Sequence, residues 1–230
     1  FALLQAGDLL VSAMGSPYDT LQRIITGKNG LQERGIKYQE VPVNDNGGCS
    51  LELLEKAVEG ARLVLVQRSR GYSGTRKSLA LKDIESIIRR IRGINSGAII
   101  LVDNCYGEFV ETSEPGHVGA DLVAGSLIKN PGGGLAVGGG YVVGKRGLVE
   151  NVADHLVAPG LAGLPAVLGE QVGGCRQRVR HRPAVGERRC QRRGERVAAT
   201  VVVTRGETGA RELEKSVAVE QQIGARLRSA

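Results

Sequence analysis

The sequence is poor in aromatic residues. Its 230 residues include no tryptophan, two phenylalanines and five tyrosines, whereas hydrophobic residues make up 41% of the chain. A globular core would therefore be built mainly from aliphatic side chains. No apolar run reaches the roughly 20 residues that a membrane-spanning helix needs, and the first residues do not form a secretory signal. The sequence predicts no membrane association, and its length suits one large domain or two small ones.

Cysteine is also scarce. The four cysteines form no CxxC pair and no disulfide-like framework, which favours a reducing cytoplasm. They are Cys49, Cys105, Cys175 and Cys190. Cys175, His181 and Cys190 lack a recognised zinc spacing, so we predict no metal site.

The basic charge of the chain is confined to one stretch. Residues 171–196 contain nine arginines and two glutamates, and their net charge equals the +7 of the whole chain. The remainder is balanced and has no basic stripe, which argues against nucleic-acid binding. Apolar periodicity also disappears there. We expect residues 166–230 to be an anomalous arginine-rich tail, disordered or frame-shifted, with a genuine basic extension as the alternative.

Apolar runs of strand length alternate with amphipathic helical segments over the rest of the chain. The strands are predicted at Asp8–Ser12, Lys37–Val43, Ala61–Val66, Ala98–Val102, Ala120–Gly125 and Tyr141–Val143. Helices are predicted with Pro17 in a first turn, after caps at Ser50 and Ser78, and over Val149–Val157. This alternation predicts an α/β fold of three layers, a mainly parallel sheet with helices on both faces.

An acidic residue ends one of the predicted buried strands. Asp103 directly follows the run Ala98–Val102, at the position where open α/β sheets bind their ligands. A carboxylate there could form a salt bridge with the protonated pyridine nitrogen of pyridoxal phosphate (PLP). A helix cap or turn residue would explain Asp103 equally well.

A lysine follows the next buried strand. Lys129 lies between the apolar run Ala120–Gly125 and the glycine-rich turn Pro131–Gly134. A desolvated lysine amine can form a Schiff base with a carbonyl compound, of which PLP is the usual example. For a lysine considered alone, a solvated loop residue is the more common explanation.

Three motifs together resemble a known family. The segment Asp103–Phe109 reads Asp-Asn-Cys-Tyr-Gly-Glu-Phe, Glu114-Pro115 follows it, and Gly125–Gly133 reads Gly-Ser-Leu-Ile-Lys-Asn-Pro-Gly-Gly. These motifs resemble the methionine γ-lyase-like family often labelled aluminium resistance protein, in the Cys/Met-metabolism group of fold-type I PLP enzymes. The resemblance covers roughly residues 1–165. It implies the PLP-binding large domain of that fold, truncated at both ends.

The resemblance also implies roles for individual residues. Lys129 would hold PLP as a Schiff base and then remove a proton from the substrate, while Asp103 would hold the pyridinium. Tyr18 would cover the cofactor ring, and the Ser126 hydroxyl would bind the phosphate. From its position alone, Tyr18 could equally pack half-exposed against the sheet. The implied reaction is elimination from a sulfur-containing amino acid, in a cytoplasmic homodimer or homotetramer.

Two arginines and two rival functions remain open. Arg68 and Arg70 follow the strand Ala61–Val66 and could meet phosphate or a substrate carboxylate, although at least one of them is expected to be solvated. A PLP-dependent aminotransferase would use the same lysine and aspartate. A non-catalytic binder with a basic tail that contacts nucleic acid is a further alternative. Because the resembled family places its phosphate-binding helix before Phe1, we expect this chain alone to have weak activity or none.

Overall fold

A computed structural model describes residues 1–132 and 139–156, and the backbone of a strand at 197–202. The chain divides into two compact units, Phe1–Val123 and Ala124–Ala230. The predicted domain boundary at residue 165, the arginine-rich stretch 171–196 and three residues of that stretch, Cys175, His181 and Cys190, lie outside the described residues. Among the described residues, no helix is long and apolar enough to cross a membrane.

The first unit is built on a parallel sheet. Its strands are β1 (Leu9–Ser12), β2 (Lys37–Glu40), β3 (Leu63–Gln67), β4 (Ile99–Asp103) and the beginning of β5 (Leu122–Ser126). They lie side by side in the order β2-β1-β3-β4-β5. Strand β1 pairs in parallel with β2 and β3, and β3 pairs in parallel with β4. The connecting helices are α1 (Asp19–Thr26), α2 (Leu51–Val58) and α3 (Leu81–Ile94).

One face of this sheet packs against α2 and α3. Alternate strand residues join the buried side chains of those two helices in one aliphatic cluster, which we call the helix-side core. Its main members are Val11, Val64, Val66, Ile100, Val102, Leu54, Val58, Ile84, Ile87, Ile88 and Ile91. The intervening residues Leu10, Leu63, Leu65 and Ile99 are buried as well, so both faces of the central strands are covered. The predicted α/β class with a mainly parallel sheet is confirmed.

The second unit contains one antiparallel strand pair and a helix. Strand β6 (Gly140–Lys145) is followed at once by α4 (Arg146–Leu156), and β6 pairs antiparallel with β7 (Val197–Val202). Just before β6, the carbonyl of Gly139 accepts a hydrogen bond from the Leu127 amide at 3.0 Å. The pairing runs from Gly140 opposite Val202 to Lys145 opposite Val197, so it covers the whole of β6.

The start of α3 differs from the prediction. The helix begins at Leu81 with Ala80 as the N-cap, so Ser78 does not cap it. Carboxylates replace the missing serine cap: Asp83 accepts the Ala80 amide at 3.0 Å, and Glu111 accepts the Leu81 amide at 2.8 Å. Glutamate and aspartate are effective acceptors here because the first amides of a helix are unpaired and the helix dipole favours negative charge.

The other helix starts agree more closely with the sequence. Ser50 is the N-cap of α2, although its side chain makes no capping hydrogen bond. Pro17 does not lie in the first turn of α1 but precedes it, because the N-cap is Tyr18. The backbone of Tyr18 is extended there, with φ −61° and ψ 154°, as an N-cap requires.

Candidate active site

Polar side chains end four neighbouring strands of the first unit. Glu40, Ser12, Gln67 and Asp103 are the last residues of β2, β1, β3 and β4. Ser12 is the register partner of Glu40, and Gln67 is the register partner of Asp103. Their neighbours along the strands, such as Val11, belong to the helix-side core. Because side chains alternate along a strand, all four polar side chains project to the opposite face, and we call them the polar row.

Asp103 presents one carboxylate oxygen for binding. Its Oδ1 accepts the Cys105 amide at 3.1 Å, which orients the half-buried side chain. Its Oδ2 makes no hydrogen bond within the part of the chain that the structure describes. A partly desolvated carboxylate with an available oxygen can accept a hydrogen bond from a cationic N–H donor. The protonated pyridine nitrogen of PLP is such a donor, so the chemistry of Asp103 fits this cofactor.

Tyr18 is attached to the polar row through Gln67. The Tyr18 amide donates to Gln67 Oε1 at 3.1 Å, and Gln67 Nε2 donates to the Ser69 carbonyl at 2.9 Å. The Tyr18 side chain is half-buried. Gln67 is only 1% exposed, so its amide group has no alternative solvent partner. The structure therefore places Tyr18, the predicted ring-covering residue, at the end of β3 beside Gln67, which is the register partner of Asp103.

The segment Ala13–Tyr18, which we call the aromatic loop, has two further polar attachments. Ser12 Oγ donates to the Gly15 carbonyl at 2.6 Å, and the Arg76 guanidinium donates to the Ser16 carbonyl. Arg76 is buried, and among the described residues its Nε finds no hydrogen-bond partner. Burial lowers the pKa of Arg76, and the charges of Glu40 and Tyr38 act in the opposite direction. Sequence reasoning missed Gln67 and Arg76; a glutamine ending an apolar strand was a signal, whereas nothing local indicated Arg76.

The structure gives Arg68 an internal role. The residue is 4% exposed, and its Nε and one Nη donate to the carbonyls of Leu79 and Gly107 at 3.3 and 3.0 Å. The guanidinium also donates to Asn104 Oδ1 at 2.8 Å and to Glu111 Oε1 at 2.5 Å. A phosphate or a substrate carboxylate would have to displace these partners, so Arg68 is better explained as a structural cation.

Arg68 organises the loop that follows Asp103. Glu114 lies 3.9 Å from the Arg68 guanidinium, and its two oxygens accept the Asn104 side chain at 2.8 Å and the Phe109 amide at 2.9 Å. Glu111 joins the same cation to the first turn of α3. The loop is thus fixed by charge-assisted hydrogen bonds, of which those from Arg68 to Asn104 and Gly107 are buried.

Arg70 differs from Arg68 in its exposure and in its side-chain hydrogen bonds. It is exposed, and its guanidinium makes no hydrogen bond to any residue that the structure describes. Its backbone is held by two hydrogen bonds: the Arg70 amide donates to Ser78 Oγ at 3.3 Å, and the Arg70 carbonyl accepts the Ser73 amide at 3.3 Å. Of the two predicted arginines, Arg70 is the one with donors available for an anionic ligand.

Lys129 and Ser126 lie in the second unit. Ser126 is the last residue of β5, and Lys129 occupies the turn that follows, where its amide donates to the Ser126 carbonyl at 3.3 Å. The Lys129 carbonyl accepts the Gly132 amide at 3.1 Å, which closes a short 3₁₀ turn over Asn130–Gly132. Both side chains are half-buried. The predicted position of the lysine, in a turn directly after a strand, is what the structure has.

The first unit is an open parallel α/β sheet with an acidic residue at the carboxyl end of a central strand, the edge at which this class of sheet binds ligands. The chain belongs to the methionine gamma-lyase family, whose model matches residues 1–173. The predicted family is therefore confirmed.

Individual relatives agree with this assignment. The chain is 44% identical over 167 residues to the uncharacterized protein YnbB of Bacillus subtilis, covering 70% of this chain and 39% of that protein. It is similar to a crystal structure of a carbon-sulfur lyase involved in aluminum resistance from Clostridium novyi, with 42% identity, a TM-score of 0.65 and coverage of 70% and 40%. A Bacillus cereus protein structure matches with 43% identity, a TM-score of 0.66 and the same coverage. The chain thus spans about 40% of the length of these relatives.

Proposed function

We propose that this chain carries the cofactor-binding residues of a PLP-dependent carbon–sulfur lyase. The observation that carries the proposal is Asp103, a half-buried carboxylate at the end of a central strand with one oxygen oriented and the other available. When bound, PLP supplies an electron-poor ring that accepts the electrons of a carbanion at the substrate α-carbon. A carboxylate that pairs with the ring nitrogen would keep the ring electron-poor.

The other residues of the proposed site divide the remaining tasks. Lys129 Nζ would hold the cofactor and would take the proton that leaves the substrate α-carbon. The Ser126 hydroxyl would donate to the cofactor phosphate, and the Tyr18 ring would cover one face of the pyridine ring. The exposed Arg70 guanidinium would bind a phosphate or the substrate carboxylate.

The proposed substrate is a sulfur-containing amino acid, and the proposed reaction is elimination. Loss of the α-proton followed by departure of the sulfur group would release a thiol, with a keto acid and ammonia formed after hydrolysis. The proposal includes a homodimer or homotetramer as the working assembly. The similarity to a carbon-sulfur lyase involved in aluminum resistance supports the reaction class.

The test uses PLP binding first and turnover second. We expect purified chain titrated with PLP to develop a visible absorption band that free PLP lacks. Asp103→Asn, made at the matching aspartate of a full-length relative, should reduce the exchange of substrate α-protons at least about tenfold, because a neutral amide stabilises a pyridinium poorly. Asp45→Asn, at an exposed turn position, is the matched control. A wild-type chain that shows no PLP-dependent band, or α-proton exchange unaffected by Asp103→Asn, would contradict the proposal.

A further inference from the structure

We propose that Gln67 is a positioning residue that sets the location of the Tyr18 ring through the Tyr18 backbone. The inference rests on the proposed function, in which Tyr18 covers the cofactor ring. The contacts of Gln67 themselves do not depend on the cofactor. Its role is to hold the aromatic loop at a fixed distance from Asp103.

Both ends of the Gln67 side-chain amide make hydrogen bonds. Oε1 accepts the Tyr18 amide at 3.1 Å and Nε2 donates to the Ser69 carbonyl at 2.9 Å. An amide has one accepting and one donating end, so these two bonds fix which way the group is turned. At 1% exposure the side chain cannot exchange these partners for water. Gln67 therefore holds the Tyr18 backbone in one place rather than simply filling space.

Two further buried polar residues bind the same short segment. Ser12 and Arg76 bind the carbonyls of Gly15 and Ser16, and both side chains are buried. Burying polar groups is unfavourable unless their hydrogen bonds are made. Here those hydrogen bonds go to the backbone of the aromatic loop. Because these hydrogen bonds order the loop before a ligand arrives, ligand binding costs the loop little further conformational entropy.

Gly71 packs closely against both Gln67 and Tyr18. Gly71 has φ +60°, and a Cβ placed on it would lie 3.3 Å from Gln67 Nε2 and 3.4 Å from Tyr18 Cβ. Glycine is thus required by backbone conformation at a position where the chain approaches both residues. Any larger residue would press on the link between them.

The sheet connects Gln67 to Asp103. Gln67 and Asp103 are register partners on adjacent strands, so their Cα atoms are held by the β3–β4 ladder. A shift of Gln67 would change where Tyr18 lies relative to the carboxylate. Gln67 is consequently suited to set the spacing between the ring-covering side chain and the group that binds the ring nitrogen.

The test begins without cofactor. The full chain is labelled with 3-fluorotyrosine, and the Tyr18 fluorine resonance is assigned by its loss in Tyr18→Phe. We expect one narrow Tyr18 resonance in the wild type, and a shifted or broadened one in Gln67→Met, which keeps the side-chain length but removes both hydrogen bonds. Exchange of the Tyr18 amide hydrogen should become at least about fivefold faster, the effect of losing one typical hydrogen bond. Gln39→Met, at an exposed position of β2, is the matched control.

A second variant separates positioning from general destabilisation. In Gln67→Glu the protonated carboxyl group can accept from the Tyr18 amide and donate to the Ser69 carbonyl, as the amide does. The wild-type Tyr18 resonance should therefore return as the pH falls and the carboxyl group becomes protonated, whereas Gln67→Met should not recover. A Tyr18 resonance that is unchanged in Gln67→Met, or a Gln67→Glu resonance that stays away from the wild-type position even when the carboxyl group is protonated, would overturn the inference.

The cofactor arm distinguishes this inference from the proposed function. PLP is titrated into wild type, Gln67→Met, Tyr18→Ala and the double variant. We expect Gln67→Met to weaken PLP binding about fivefold to tenfold, and to have no further effect once Tyr18 is alanine. Equal effects in both backgrounds would overturn the positioning role. No PLP binding by the wild type would contradict the proposed function, while the fluorine spectra would still decide whether Gln67 positions Tyr18.

Discussion

Gln67 and Asp103 stand side by side at the carboxyl ends of β3 and β4, as register partners whose side chains project away from the helix-side core. Through this pairing, the carboxylate that suits a pyridine nitrogen is tied to the residue that holds the Tyr18 backbone. The two residues are 36 positions apart in the sequence. The sheet register is what places them together.

Lys129 is predicted to be the residue that carries the cofactor. Sodium borohydride reduction of the PLP-treated chain, followed by peptide mapping, should place a pyridoxyl label on Lys129, because this lysine lies half-buried in a turn directly after a strand. Lys129→Arg should lose the label and Lys37→Arg, at an exposed position of β2, should keep it. A label found mainly on Lys28, Lys37 or Lys145 would show that the assignment is wrong.

Arg68 and Arg70 are predicted to differ in what they contribute to stability. Arg68→Met should lower the free energy of unfolding by about 3 kcal/mol, because it leaves Glu114, Asn104 and the Gly107 carbonyl without their buried cation. Arg70→Met should change it by less than about 0.5 kcal/mol, since that side chain is exposed. Urea denaturation measures both. Equal losses in the two variants would mean that the Arg68 contacts add little.

Gly107 is predicted to be required by the packing of Arg68. A Cβ at residue 107 would lie 2.3 Å from Arg68 Cδ and 2.5 Å from a guanidinium nitrogen, so Gly107→Ala must displace the buried cation. We expect a loss of about 2 kcal/mol or more. Gly93→Ala is the matched control. Gly93 lies in α3, a Cβ placed on it would have no described residue outside the helix backbone within 4 Å, and the substitution should stabilise the chain by about 0.5–1 kcal/mol. Thermal melts of the two variants that shift in the same direction would refute this explanation.

The Cys49 thiol is predicted to react slowly in the folded chain. Burial raises the pKa of Cys49 from 9.0 to about 12, and its Sγ donates to the Ala13 carbonyl at 3.2 Å. At pH 8 the thiolate fraction is then roughly a thousandfold lower than in the unfolded chain, although each thiolate is more nucleophilic, so we expect alkylation to be at least about tenfold slower. Iodoacetamide labelling with mass mapping, before and after urea unfolding, measures this ratio.

The raised pKa of Cys49 also makes the stability of the folded chain depend on pH. Because the pKa of Cys49 is raised on folding, the thiol form is favoured in the folded state, and its contribution to stability is complete below pH 9 and is lost as the pH rises towards 12. Cys49→Ser should reduce the alkaline loss of stability in this window. Identical unfolding curves for both chains between pH 9 and 12 would exclude the effect.

Local signals in the sequence were enough for the α/β class, the family and the strand-end positions of Asp103 and Lys129. An apolar run of strand length followed by a polar residue is visible without any knowledge of distant contacts, and parallel sheets bring such residues to one edge. The motif around each residue then indicates the family. The predicted strands were found within a few residues of their observed bounds. For the central strands β3 and β4 the reason is burial on both faces, which makes each of them a continuous apolar run.

Only the tertiary structure decided which polar side chains serve the fold and which remain available to a ligand. Arg68 and Arg70 look alike in sequence, yet Arg68 is buried among partners that lie 36 to 43 residues away, and Arg70 is exposed. Gln67 acquires its role from an amide 49 residues earlier, and α3 takes a cap from Glu111 instead of Ser78. These pairings depend on which loops meet at the strand ends. Local periodicity in the sequence does not indicate these pairings, because hydrogen bonds between distant residues follow from the packing of the sheet.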